Sequence, residues 1–105
     1  MVSQMMLDEI RRRLVERFSP QRIILFGSQA RGTADDRSDI DLLVICNVTD
    51  RKRQMLEMDR ALRGLGIARD IVVLTPEEFE RDRLISGTVA RPASTEGVQL
   101  YAVSA

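Results

Sequence analysis

Leu7, Ile10, Leu14 and Phe18 recur at steps of three and four. That spacing predicts an amphipathic helix over about residues 4–18, and Pro20 prevents it from running much further. Ile23-Ile24-Leu25-Phe26 is a continuous apolar run with β-branched residues, the pattern of a strand buried on both faces. The run stops at Gly27. A polar stretch with Gly32, Asp35 and Asp36 follows, which is loop chemistry with room for one helical turn. From Ile40 to Cys46 only Asp41 interrupts a second apolar run, so a second buried strand is expected.

Asn47 to Asp50 supplies turn and cap residues. Met55, Met58, Leu62 and Leu65 then predict a second amphipathic helix, closed by Gly64 and Gly66. Its methionines read as core filler rather than ligands. Asp70 opens a third strand, Ile71-Val72-Val73-Leu74. Thr75-Pro76-Glu77-Glu78 is a helix start, with Thr75 at the N-cap, proline at the first position and Glu78 at the third. That helix is expected to reach about Ile85. Residues 86–96 have helical spacing, but Pro92 should break or restart a helix there. Gly97 precedes a last short strand, Val98 to Val103.

The helix between strands two and three is a crossover connection, which makes those strands parallel. The fold class expected is α/β (α+β), with a mixed β-sheet flanked by helices. A chain of 105 residues has room for one hydrophobic core, so residues 1–105 are expected to form a single domain.

Composition then removes chemistries. Histidine is absent, which excludes Ser-His-Asp and Cys-His catalysis, imidazole bases and His-ligated zinc. Cys46 is the only cysteine. It ends an apolar run and reads as a core residue, with no internal disulfide possible. The formal net charge is zero, so the basic field that holds nucleic acid is missing and direct nucleic-acid binding is not expected. Arg11-Arg12-Arg13 reads as a solvated helix face. No apolar run approaches the ~20 residues of a membrane span, and the N-terminus lacks a signal-peptide pattern. The expectation is a cytoplasmic protein without membrane contact.

What chemistry is left rests on carboxylates, hydroxyls, backbone dipoles and cations. Asp39 and Asp41 are two apart on the predicted second strand, so both should point to one face with Cα atoms about 7 Å apart. At an effective dielectric of 20 they repel by about 2.4 kcal/mol, and a bound divalent cation would reverse that sign. On this pair alone, solvation at an exposed strand entrance explains them equally well. Gly27-Ser28 adds a second feature. Glycine lets backbone approach closely, Ser28 supplies a hydroxyl and an N–H, and a following helix start favours an anion. It is no P-loop, since Thr33 stands where lysine is required. Asp70 adds a third. It starts a strand parallel to the one that Asp39 and Asp41 enter, so all three carboxylates lie at one end of the sheet. Gly27-Ser28 reaches that end only if strand one runs antiparallel to strand two. Such a constellation suits two-metal phosphoryl or nucleotidyl transfer.

The stretch Leu25-Phe26-Gly27-Ser28-Gln29-Ala30-Arg31-Gly32, followed by Ser38-Asp39-Ile40-Asp41-Leu42-Leu43-Val44, resembles the DNA polymerase β-like nucleotidyltransferase superfamily. Within it the likeness is to the minimal nucleotidyltransferases (MNT). Glu96-Gly97-Val98-Gln99-Leu100-Tyr101 is similar to that family's closing helix-to-strand segment. The resemblance implies the polymerase β-like fold and a transferase that uses ATP as substrate with two Mg²⁺ ions. It implies that Asp39 and Asp41 ligate both ions. Asp70 would ligate the catalytic ion and help deprotonate the attacking hydroxyl, and Gly27 and Ser28 would hold the nucleotide triphosphate. For Arg31 two roles stand side by side, a phosphate contact or a tie to Asp35 or Asp36; those two aspartates read as loop carboxylates. The resemblance further implies an antitoxin that pairs with a HEPN-domain toxin protein, as a hetero-oligomer, in some relatives adding AMP to a toxin tyrosine. Larger relatives carry an extra domain for the acceptor, so here another molecule is expected to present it. Two alternatives accompany this: an antitoxin that acts by occlusion without catalysis, and a small-molecule or RNA nucleotidyltransferase that needs another subunit.

Overall fold

The computed structural model describes residues 2–33 and 39–103. Helix α1 (Gln4–Phe18) starts where the Ser3 hydroxyl accepts a hydrogen bond from the Met6 N–H, and it ends at Ser19, which is left-handed with φ 45°. Strand β1 (Arg22–Phe26), the short helix α2 (Ser28–Arg31) and strand β2 (Ile40–Ile45) come next. Helix α3 (Arg51–Ala61) crosses to strand β3 (Arg69–Leu74). Helices α4 (Pro76–Asp82) and α5 (Ala90–Glu96) lead into strand β4 (Val98–Ala102).

The strands form one sheet in the order β3-β2-β1-β4. β2 and β3 are parallel, and β1 runs antiparallel to both β2 and β4. The mixed sheet inferred from the acidic residues is therefore present. Its two faces explain the unbroken apolar runs. Ile40, Leu42 and Val44 of β2 pack with Ile23 and Leu25 against Ile10, Leu14, Met58 and Leu62 of the α1–α3 side. Leu43 and Ile45 point the other way and pack with Ile24 against Phe79, Ala90 and Ala93 of α4 and α5. Every apolar position of β2 is buried, and Cys46 and Met58 are core residues as expected. Arg11 and Arg12 are exposed, with ion pairs to Asp8, Glu9 and Glu16 on their own helix.

Several element boundaries differ from the sequence expectation by a few residues. β2 stops at Ile45, although the Cys46 N–H still donates to the Leu74 carbonyl at 3.0 Å. Helix α4 ends at Asp82 rather than near Ile85. The Thr88 hydroxyl lies within hydrogen-bonding distance of the carbonyls of Asp82 and Ile85 (2.8 and 2.9 Å), a side chain competing for groups that a longer helix would use. The helix restart expected at Pro92 is present: α5 begins at Ala90 and Pro92 stands in its first turn, where its missing N–H has no intrahelical partner to lose.

The start of α4 carries a measurable acid sensitivity. Thr75 and Glu78 form a reciprocal capping box, and Arg51 Nη2 donates to both Glu78 oxygens at 2.6 Å, tying α3 to α4. The Arg51 guanidinium, then the Thr75 backbone N–H, holds the Glu78 carboxyl down at about 2, from an ordinary 4.5. A depressed carboxylate contributes stability above its unfolded value, and that contribution is lost as pH falls toward 2. Thermal melts at pH 5 and pH 2.5 should therefore show a larger drop for the parent than for Glu78→Gln. Equal drops would remove Glu78 from the acid response.

Candidate active site

The sheet register brings the predicted site residues to one edge. Phe26 at the end of β1 is the partner of Asp41 near the start of β2, and Asp41 is in turn the partner of Asp70 near the start of β3. In-register neighbours on adjacent strands share a face. Asp41 and Asp70 therefore stand on the face that carries Leu43, Ile45, Val72 and Leu74. Helices α4 and α5 cover Leu43 and Ile45 but leave Asp41 half-buried and Asp70 exposed.

Gly27 is built into this edge. Its φ of 74° and ψ of −156° lie where an L side chain is strained. A Cβ there would collide with the Asp41 carboxylate. The backbone at the β1–α2 junction thus lies directly against Asp41, an approach that only glycine permits. Ser28 begins α2, and the Gly27 carbonyl accepts from the Ala30 and Arg31 N–H groups, both at 3.1 Å. The predicted single turn of helix after Gly27-Ser28 is present.

Asp39 departs from its expected position. It precedes β2 rather than lying on it and is exposed. The sheet pairing begins one residue later, where the Ile40 N–H donates to the Ala68 carbonyl at 2.9 Å. Strand alternation therefore does not fix the direction of Asp39, although its charge still reaches Asp41. The Asp41 carboxyl is raised above its ordinary value, first by burial, then by Asp70 and then by Asp39, with Arg31 opposing. All three aspartates and Arg31 thus share one electrostatic neighbourhood.

Arg31 is half-exposed, and its Nη1 lies 3.5 Å from Glu96 Oε2 at the end of α5. The alternative partners Asp35 and Asp36 lie outside the described residues. Two neighbours were not apparent from the sequence. Gln29 is buried, and its Oε1 accepts from the Val2 N–H at 2.9 Å, which ties α2 to the N-terminal segment. Arg69 is mostly buried: Nε donates to Asp59 Oδ1 at 3.0 Å, Nη2 to the Asp59 carbonyl at 2.8 Å and Nη1 to the Ile67 carbonyl at 3.1 Å. Asp70 follows Arg69 directly, so this clamp fixes the start of β3. An adjacent basic residue that alternates to the opposite face was the available signal.

Among the described residues, no three His, Cys, Asp or Glu side chains converge as a ready-made metal cage. The donor set still has a definite preference. It is all oxygen, partly exposed and open to further ligands, and magnesium is commonly bound by one or two carboxylates plus substrate phosphates rather than by an all-protein cage. The residues present fit that ion.

A sheet edge of this topology, with acidic residues beside a Gly-Ser turn, is consistent with a nucleotidyltransferase, and the model of the nucleotidyltransferase domain family matches residues 7–94. The chain belongs to that family. A protein of Methanocaldococcus jannaschii, named as a candidate protein adenylyltransferase, is 41% identical over 61 residues; the match covers 56% of this chain and 40% of that relative. Among solved structures, a mutant form of the toxin–antitoxin MntA–HpeT superimposes with a TM-score of 0.70 at 25% identity, over 93% of this chain and 74% of the other. A candidate nucleotidyltransferase from Sulfolobus solfataricus gives 0.61 at 25% identity, over 90% and 78%. The complex of a tri-AMPylated Shewanella oneidensis HEPN toxin with its MNT antitoxin gives 0.65 at 24% identity, over 95% and 72%, a likeness of fold. No helix among the described residues is long and apolar enough to cross a membrane.

Proposed function

We propose that this nucleotidyltransferase transfers AMP from ATP to a hydroxyl of a partner protein, a tyrosine of a HEPN-domain toxin, and thereby acts as an antitoxin. The observation that carries this reading is the Asp41–Asp70 register pair on parallel strands, with Gly27 packed against Asp41. The similar toxin–antitoxin structures and the similar adenylyltransferase support the acceptor class.

Asp39, Asp41 and Asp70 would hold two Mg²⁺ ions, which supply charge neutralisation for an in-line displacement. The chain's own groups do the rest. The glycine at position 27 lets the triphosphate approach the backbone, and the Ser28 hydroxyl and N–H donate to its oxygens. The acceptor oxygen attacks the α-phosphorus, and its proton passes to the Asp70 carboxylate. The bond from that phosphorus to the bridging oxygen breaks, and pyrophosphate leaves. Arg31 offers its guanidinium to the phosphate chain.

Intact-mass spectrometry of a HEPN partner incubated with the chain, ATP and Mg²⁺ tests this. One or more added adenylates are expected. An unchanged mass, with complex formation intact, would refute transfer. The exposed, off-strand position of Asp39 favours a second reading, neutralisation by occlusion. That reading requires Asp41→Asn to protect cells from the toxin as well as the parent does. If the variant binds the toxin yet fails to protect, occlusion is excluded.

A further inference from the structure

We propose that Glu96 is a positioning residue for the nucleotide site, acting through its ion pair with Arg31. The inference rests on the reading of this edge as a triphosphate site and gives Glu96, read above only as part of a closing helix-to-strand segment, a role there.

The geometry is set by the chain's last two elements. β4 pairs antiparallel with β1, with Leu25 opposite Val98. The end of α5 therefore arrives beside the β1–α2 junction, where Gly27 and Ser28 lie. Gly97 fixes that arrival. A Cβ there would collide with the Ala93 carbonyl oxygen and with Ile24 Cγ2, and the Gly97 N–H closes α5 on Ala93 at 3.1 Å. Glu96 thus hangs from a junction that cannot shift without disturbing the sheet. From it, Oε2 reaches Arg31 Nη1 at 3.5 Å.

The direction of the effect follows from where Arg31 stands while paired. Ser28 and Arg31 stand three apart on α2 and so share a helix face. The Glu96-bound conformer therefore stands beside the Gly27-Ser28 turn, and Glu96 holds a long, flexible cation where a phosphate would meet it. Without Glu96, Arg31 spends more time in solvent-facing rotamers, and part of the binding energy goes to ordering it. The pair is half-exposed at both ends, so its contribution is modest.

The test is binding of AMP-PNP with Mg²⁺ to the full chain by calorimetry, which needs no acceptor. Glu96→Gln should weaken binding about threefold, and Arg31→Met about tenfold. In the Arg31→Met background, Glu96→Gln should change nothing further. The unfolding midpoint should stay at the parental value in Glu96→Gln, and Glu80→Gln, which removes a comparable charge from α4, should bind as the parent does. In transfer assays KM for ATP should rise while kcat holds. Overturning results are tighter or unchanged binding in Glu96→Gln, or an equal loss in both backgrounds. Failure of the parent to bind at all would overturn the nucleotide reading itself and this inference with it.

Discussion

Asp41→Asn is expected to abolish transfer and, in the absence of magnesium, to leave the protein more stable at neutral pH than the parent. The two effects have one cause. Burial, Asp70 and Asp39 all disfavour the ionised Asp41 carboxyl, whose affinity for a proton is raised above the ordinary level. For such a group the favourable contribution to folding is present below the unfolded value and lost as pH rises through the folded one. At neutral pH the ionised Asp41 therefore works against the fold, and asparagine removes that opposition at nearly the same size. The unfolding midpoint should rise by a few degrees. Transfer should fall by about a thousandfold, in line with deleting a preorganised charge at a reacting centre. Added Mg²⁺ should raise the midpoint of the parent and not that of the variant. A variant that melts lower than the parent, or that still transfers adenylate at the parental rate, would detach Asp41 from the chemistry.

Gly27→Ala should destabilise the chain and abolish transfer. Two separate penalties apply at this position. The backbone angles alone cost about 1–3 kcal/mol for a residue with a Cβ. In addition the new methyl meets the Asp41 carboxylate, so either the β1–α2 junction or Asp41 must move. Chemical denaturation should show a loss of at least about 1–3 kcal/mol, and transfer should be lost even where the variant remains folded. Combining Gly27→Ala with Asp41→Ala separates the penalties, since the double variant relieves the collision and keeps the strained angles. A double variant no more stable than the sum of its parts would show that the close approach to Asp41 contributes nothing.

Much of this site was legible in the sequence because its logic is topological. A crossover helix dictated parallel β2 and β3, and with them the pairing of Asp41 and Asp70. The interruption of a doubly buried strand by Asp41 marked the position before any coordinates did. Asp39 was harder. Alternation is a property of paired strand, and pairing begins at Ile40, so it does not extend to Asp39. The extents of α4 and α5 depended on a hydroxyl, that of Thr88, bonding back to two carbonyls, and on where the first turn around Pro92 would fall. Neither is written in hydrophobic periodicity. The Arg31–Glu96 contact joins residues far apart in the chain and depends on which edge β4 adds to, a choice that β4's own pattern leaves open.

Among the described residues β3 is an edge strand, paired on one side only, and this has a consequence in time rather than in space. Edge strands open more readily than central ones, and each opening of the β3 start would carry Asp70 away from Asp41. On the proposed function, the fraction of molecules competent for transfer at any instant would be the fraction in which β3 is closed. The Arg69 clamp on Asp59 and Ile67, which touches no part of the acidic edge itself, would hold the start of β3 toward the closed state.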